Sequence, residues 1–253
     1  MTAAAADFKV CVVVPFYNHE RAIAQTVARI KAQGLPCLIV DDGSDARCQP
    51  VLAQLAAAES AWLTVHRIAR NSGKGVAVLT GFAWAAQRGY SHGLQIDADG
   101  QHCFDDIPKM VEAARAAPER IIAGIPRYDG SIPWNRYYGR WLTHLLVWAE
   151  TLSTEIQDSM IGFRVYPLAA VLACAKAHRI GARMDFDTDL IVRMFWRGTR
   201  IVNMPTPVTY PSDGVSHFNY YRDNARMTWL HIRLLAGMLP RAPWLLWRSL
   251  RRL

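Results

Sequence analysis

The chain has 253 residues, 51% of them hydrophobic and 20% charged, and a formal net charge of +8. That length and apolar content exclude a disordered chain or a small stapled scaffold, and they suit one α/β domain with a large core or two smaller domains. Five scattered cysteines (Cys11, Cys37, Cys48, Cys103, Cys174) include no CxxC pair, which excludes a disulfide framework and reads as the reduced thiols of a cytosolic protein.

Met1 to Asp7 is Ala-rich and lacks a charged n-region, so no signal peptide is expected. Lys9 to Pro15 is a β-branched run of the kind that forms a strand buried on both faces. A loop at Phe16–Glu20 leads to helical spacing over Arg21 to Ala32, which Gly34 and Pro36 end. The next strand, Cys37 to Val40, closes on Asp41-Asp42-Gly43-Ser44. Val51 to Glu59 reads as a helix and Leu63 to Ile68 as a strand. Asn71-Ser72-Gly73-Lys74-Gly75 is a turn, Val76 to Arg88 a helix, and Leu94 to Ile96 the fourth strand. The repeated strand–loop–helix order indicates a mostly parallel sheet covered by helices.

Further on, a helix is expected at Asp105 to Ala116, capped by Asp105 or Asp106, and a short strand at Ile121 to Gly124. Arg127 to Arg140 reads as irregular and Trp141 to Leu152 as an apolar helix. A loop from Asp158 enters a strand near Val165. Helices are expected at Pro167–Ala177 and Asp187–Arg197, a strand at Arg200–Met204, and an extended Pro-rich stretch at Pro205–Asp213. No composition shift appears before about Tyr220, so residues 1–220 are expected to form one domain and 221–253 a basic, amphipathic, membrane-associating tail.

The most telling stretch is Leu94-Gln95-Ile96-Asp97-Ala98-Asp99-Gly100-Gln101-His102. Carboxylates at i and i+2 of an extended chain project to one side. At the carboxyl end of a strand that arrangement suits a hard divalent cation that also holds phosphate oxygens. Asp42 also follows a buried strand and could accept a hydrogen bond from a base or ribose, although an Asp-Gly turn capping a helix explains it equally well. Ser72-Gly73-Lys74-Gly75 could cradle an anion, or be a plain turn. Arg183 could pair with the acids beside it, and His102 and His144 read as surface or core residues rather than ligands.

The segment 221–253 holds seven arginines and one acid, which is +6 of the total +8. Trp229, Leu230, Ile232, Leu234, Leu235, Trp244, Leu245 and Trp247 alternate with those arginines, and Pro240 and Pro243 split the run in two. Two amphipathic pieces of that kind fit an interfacial membrane segment; packing on the domain or on a second copy is the alternative. No nucleic-acid motif is present, and a nucleic-acid partner is not expected. No stretch reaches the roughly 18 apolar residues of a spanning helix.

Taken together, Val-Val-Pro-Phe-Tyr-Asn (13–18), Val-Asp-Asp-Gly-Ser (40–44), Asn-x-Gly-Lys-Gly (71–75), Gln-Ile-Asp-Ala-Asp-Gly-Gln (95–101) and Asp-Ser-Met-Ile-Gly-Phe-Arg (158–164) occur in the order found in family-2 glycosyltransferases. The chain resembles most closely the branch that transfers sugars to dolichol or polyprenol phosphate, over residues 9–217, and also looks like transferases found beside lipid acyltransferases. The resemblance implies a GT-A fold, a GDP- or UDP-hexose donor, Mg²⁺ or Mn²⁺ as cofactor, and a lipid-linked acceptor at the cytoplasmic membrane face. It implies that Pro15, Tyr17, Glu20, Asp42, Lys74 and Asp97 bind the nucleotide sugar, and that Asp97, Asp99 and Gln101 hold the metal. It puts Arg127, Arg136, Arg140, Arg164 and His217 on the acceptor side. Asn18-His19-Glu20 departs from the more usual Asn-Glu, Arg140 stands where a small hydroxyl residue is common, and Asp213 and His217 replace basic residues.

Such a transfer inverts the anomeric carbon in one displacement. An acceptor phosphate is already nucleophilic, whereas an acceptor hydroxyl needs a base, for which Asp158, Asp187, Asp189 or His217 could serve. The competing readings are a nucleotidyltransferase, which would place a Gly-rich basic loop after the first strand where Phe16-Tyr17-Asn18 stands, and a non-catalytic membrane-bound scaffold.

Overall fold

The computed structural model of the chain describes residues 7–128, 134–209 and 219–250. Strands β1 (Val10–Phe16) and β2 (Cys37–Asp42) are apolar runs buried along nearly their whole length. They pair in parallel with each other, β2 with β3 (Leu63–Ile68), and β1 with β4 (His92–Gln95). Beyond β4 the sheet continues through β6 (Arg164–Pro167), β5 (Ile121–Tyr128) and β7 (Ile201–Val208), in the order β3-β2-β1-β4-β6-β5-β7. Only β6 runs against its neighbours, while β5 and β7 are parallel.

Side chains of the central strands alternate between two cores, as the period of two requires. Val10, Val12 and Val14 of β1 face α1 (Ile23–Lys31), α2 (Gln49–Ala58) and α4 (Ile107–Ala116). Cys11 and Val13 face α3 (Lys74–Gln87), α6 (Leu168–Ala177) and α7 (Phe186–Trp196). The same core takes in Val147 of α5 (Trp134–Thr151), Leu230 and Leu234 of α8 (Tyr220–Met238), and Leu245 of α9 (Ala242–Leu250). Packing therefore does not break at residue 220. Buried Glu150 of α5 lies 2.7 Å from His231 of α8, and Arg248 of α9 donates to the Phe195 carbonyl at 2.7 Å.

Three expectations are corrected. β5 runs on to Tyr128 and pairs with β7 over all eight positions, through Pro126, Pro205 and Pro207; the two β7 prolines are tolerated because β7 is an edge strand. Helix α5 begins at Trp134, so much of 127–140 is regular. Asp106 holds the N-cap position of α4, but its carboxylate accepts from Thr206 and Lys109 instead of from a backbone N–H. Among the described residues no helix is long and apolar enough to cross a membrane.

Leu234 is fully buried against the domain. Leu234→Ala is expected to cost about 2–4 kcal/mol of unfolding free energy in urea, in one transition with the rest of the domain. A second transition, for α8 alone, would show that the tail folds apart from the domain.

Candidate active site

Because β1, β2 and β4 are parallel, Phe16, Asp42 and Gln95 end at one edge of the sheet, where open α/β sheets bind ligands. The turn before α3 reaches that edge under tight backbone control. Gly73 has φ +104°, and a Cβ there would fall 2.1 Å from the Ala182 carbonyl. The N–H groups of Ser72 and Gly73 both donate to the Asp42 carboxylate at 2.7 Å, and that of Gly75 to the Ala182 carbonyl at 2.9 Å. The turn is thus no open anion cradle: the buried Asp42 carboxylate is the anion it holds. Asp42 therefore shapes the turn, and what the turn delivers to the cleft is Lys74.

The Lys74 ammonium sits between two carboxylates, 2.8 and 3.0 Å from the Asp97 oxygens and 2.9 Å from Asp187 Oδ2. Burial alone would depress the lysine and raise the aspartate. The opposite charges outweigh it, holding Lys74 above its ordinary value and Asp97 below the carboxylate range. Gln95, fully buried on β4, donates to Asp187 Oδ1 at 2.8 Å. Gly162 closes over the pair, since a Cβ there would lie 2.6 Å from both Lys74 Nζ and Asp97 Oδ2. His102, buried and stacked on Phe163 at 5.5 Å, has Nε2 3.6 Å from Asp97 Oδ2. Asp99 stands in the next turn, where Gly100 has φ +74° and the Gln101 N–H donates to Asp99 Oδ1 at 3.0 Å.

The loops after β1 and β2 are stitched together beside this cluster. Asn18 accepts from the Asp45 N–H at 2.9 Å and donates to Asp45 Oδ2, and Glu20 lies 3.5 Å from Arg47. Pro15, Tyr17 and Glu20 are half-buried along that seam.

A second polar cluster centres on buried Asp158. Its Oδ1 accepts from the N–H groups of Met160 and Ile161, and its Oδ2 lies 2.6 Å from Arg140 and 3.7 Å from His144. Arg140 also packs on the Tyr128 ring, 5.8 Å from its centroid. Burial would raise Asp158, but Arg140, His144 and the Ile161 N–H hold it low; burial, aided by Arg140, keeps His144 low against the pull of Asp158.

Two expected site residues are placed elsewhere. Arg164 is fully buried rather than on the acceptor side; it donates to Tyr166 Oη and to the carbonyls of Asp187 and Asp158. Asp189, two residues from Asp187 and so on another side of α7, is buried against the Gly181 N–H, Arg193 and Arg233 of α8. The Arg183 guanidinium donates to Asn71 Oδ1 at 2.9 Å, and its backbone N–H to the neighbouring Asp185 carboxylate at 3.0 Å. Arg127 is exposed near the end of β5. Arg136 falls on α5, but its side chain, like Asp213 and His217, lies outside the described residues. His102, Gln95 and Gly162 were not expected in the cluster. The period of two that aligns Asp97 with Asp99 also aligns Gln95 with them, and was the signal available for it.

The model of the family described as Glycosyl transferase family 2 matches residues 11–171, more than half of the chain. The chain belongs to that family. Two relatives are similar over most of their length. A polyprenol monophosphomannose synthase of Mycolicibacterium smegmatis is 27% identical over 218 residues, covering 81% of this chain and 79% of the relative. An undecaprenyl-phosphate mannosyltransferase of Micrococcus luteus is 28% identical over 208 residues, covering 78% and 82%. Among solved structures, glucosyl-3-phosphoglycerate synthase of Mycobacterium tuberculosis in complex with Mn²⁺, UDP-glucose and glycerol 3-phosphate superposes with a TM-score of 0.64. That likeness covers 93% of this chain and 80% of the other at 16% identity. The fold is GT-A, and the enzyme is a glycosyltransferase.

In this family-2 glycosyltransferase the donor set at the cleft fits a hard divalent cation. Asp97, Asp99 and Gln101 all carry side-chain oxygens, the donor type such a cation takes. Asp97 Oδ1 is buried and, although 2.8 Å from Lys74 Nζ, receives no directed hydrogen bond; the ring nitrogens of His102 receive none either. Among the described residues no group of three or more His, Cys, Asp or Glu converges.

The nearest atoms a Cβ at Gly162 would meet are the side-chain ends of Lys74 and Asp97 and not backbone, so in Gly162→Ala the fold should survive while the cluster is displaced. Turnover is expected to fall about 10²-fold with an unchanged melting curve. For Asp158, the folded pKa lies below the unfolded value, so its stabilisation is present above about pH 4 and is lost as pH falls through the folded value. Arg140→Met should cost about 3 kcal/mol near neutral pH. The deficit should shrink toward about pH 4, as the stranded carboxylate takes up a proton. Urea unfolding of both proteins across pH checks this.

Proposed function

We propose that the enzyme transfers a hexose from a nucleotide sugar to a lipid-linked acceptor of the polyprenyl phosphate kind, with inversion, at a membrane surface and with Mg²⁺ or Mn²⁺. The observation that carries the reading is the Lys74–Asp97–Asp187 cluster with Asp99 beside it, at the sheet edge where the motifs of this family converge. The Mn²⁺ and UDP-glucose named for the mycobacterial neighbour, and the polyprenyl acceptors named for the two relatives, support it.

Pro15, Tyr17 and Glu20 would line the nucleoside pocket, with Asp42 fixing the turn behind it. Asp97, Asp99 and Gln101 would hold the metal, which when bound offsets the charge that develops on the leaving diphosphate. Lys74 supplies a fixed positive charge at the same place. Arg127, Arg136 and Arg140 would meet the acceptor's phosphate.

The state of Asp158 favours an anionic acceptor over a hydroxyl. A carboxylate held low by an arginine 2.6 Å away is a weak proton acceptor. Asp187 is engaged by Lys74 and Gln95. An acceptor phosphate needs no base. The C-terminal helices, rich in Trp, Leu and Arg, would keep the enzyme where such acceptors reside.

Thermal shift with UDP, GDP and CDP, each with and without Mn²⁺, is the direct test. At 100-fold saturation one nucleotide should add about 2.7 kcal/mol, and only with metal. Asp99→Ala should abolish that shift and lower turnover by at least about 10²-fold without unfolding. Absence of any metal-dependent stabilisation would overturn the reading.

A further inference from the structure

We propose that the outward face of α5 lies on an anionic lipid bilayer, so that the enzyme rests on the membrane through α5, α8 and α9 together and not through its tail alone. The inference rests on the membrane-surface reading above and extends it to a helix inside the catalytic domain.

At 100° per residue, positions 134, 138, 141, 142 and 145 fall within an arc of about 100°. They are Trp134, Tyr138, Trp141, Leu142 and Leu145, all exposed, from 46% at Trp141 to 75% at Trp134. The opposite side of α5 carries the buried Thr143, Val147 and Glu150. The helix is thus apolar toward solvent, the reverse of an ordinary surface helix. Its neighbour α8 repeats the pattern with exposed Tyr221, Trp229 and Ile232, and Trp244, Leu246 and Trp247 continue it on α9. Among the described residues, every exposed large hydrophobic except Met184 belongs to these helices or to Leu239 in the turn joining α8 to α9.

Charge decides the occupant. The acids of these helices are buried: Glu150 against His231, and Asp223 against Arg226. Arg222 and Arg226 are exposed at the edge of the α8 stripe, and Arg241 and Arg248 are half-buried beside α9. Trp and Tyr with arginine, and no exposed carboxylate, match the headgroup region of an anionic bilayer. A second copy docking by the same face would set arginines against arginines. The placement also has a use. Arg140 and His144 stand on the flank of α5 and reach Asp158, so the helix that would touch the bilayer also carries the second polar cluster.

The test uses the full chain with vesicles of phosphatidylcholine mixed with phosphatidylglycerol, read by co-sedimentation. Leu142→Glu/Leu145→Glu alters only exposed positions outside both clusters. Its partition coefficient should fall at least about tenfold, with the melting curve and the Mn²⁺-dependent nucleotide shift unchanged. In a second readout, an environment-sensitive fluorophore on Leu145→Cys should blue-shift when vesicles are added. The same label on Glu112→Cys of α4, across the sheet, should not. Equal binding by wild type and the double-Glu variant, with no shift at position 145, would overturn the α5 proposal and leave a tail-only attachment. A wild-type chain that does not sediment with the vesicles would overturn the membrane reading itself. Conversion of a dimer to a monomer by the double-Glu variant, with vesicle binding intact, would assign the face to self-association and equally overturn the proposal.

Discussion

The cleft depends on one ammonium placed between two carboxylates. Lys74 comes from α3, Asp97 from the end of β4 and Asp187 from α7, and their side chains meet within 3.0 Å. Each needs a backbone device to get there. Lys74 follows Gly73, whose positive φ and contact with Ala182 leave no room for a side chain. Asp97 lies two residues past the end of β4, a strand fixed between β1 and β6. Asp187 is oriented by Gln95 and by Arg164, which grips its carbonyl. Charges this close are costly to strand, because removal of one leaves another desolvated without a partner. Two carboxylates face a single ammonium here, with Asp99 in the next turn, so an additional cation would meet net attraction.

The Asp158–Arg164 loop ties this cluster to the second one. At its start Asp158 is braced by two backbone N–H groups and Arg140. Near its end Gly162 presses on Lys74 and Asp97, and Arg164 joins the carbonyls of Asp158 and Asp187. The loop brings Gly162 close to one ion pair while supplying the acid of another. Arg140 is intelligible in that setting: a small hydroxyl residue there would leave Asp158 buried without its cation.

Much of this architecture could be read from the sequence, and the limits have physical causes. β1 and β2 are continuous apolar runs rich in β-branched residues, and they were placed closely because burial on both faces leaves such a pattern. β7 was cut short at a proline, which an edge strand accepts, and β5 at Gly124, before the Pro126 that pairs only with that edge strand. The carboxylate pair Asp97 and Asp99 was visible as a candidate because two carboxylates at i and i+2 need no tertiary information. The role of Asp42 was not, because the N–H groups it accepts come from residues 30 and 31 positions later. The partners of Arg164 and Asp189 were hidden for the same reason: both are buried where distant backbone or arginine partners satisfy them, and no local spacing announces such partners.

The two faces of the sheet are covered unequally, and that asymmetry connects the cleft to its surroundings. On one face α1, α2 and α4 bury a compact core. On the other, α3, α6 and α7 are joined by α5, α8 and α9, whose inner sides supply Val147, Leu230, Leu234 and Leu245. A layer added only for stability would turn polar residues outward. Here the outward sides of α5, α8 and α9 carry Trp, Tyr, Leu and Ile instead, at a hydration cost that water does not offset. The buried Glu150–His231 and Asp189–Arg233 contacts join α8 to α5 and α7, so the outward apolar sides belong to one packed layer. Arg140, 2.6 Å from Asp158, stands on α5 and so on that layer, which links the exposed apolar surface to the second polar cluster.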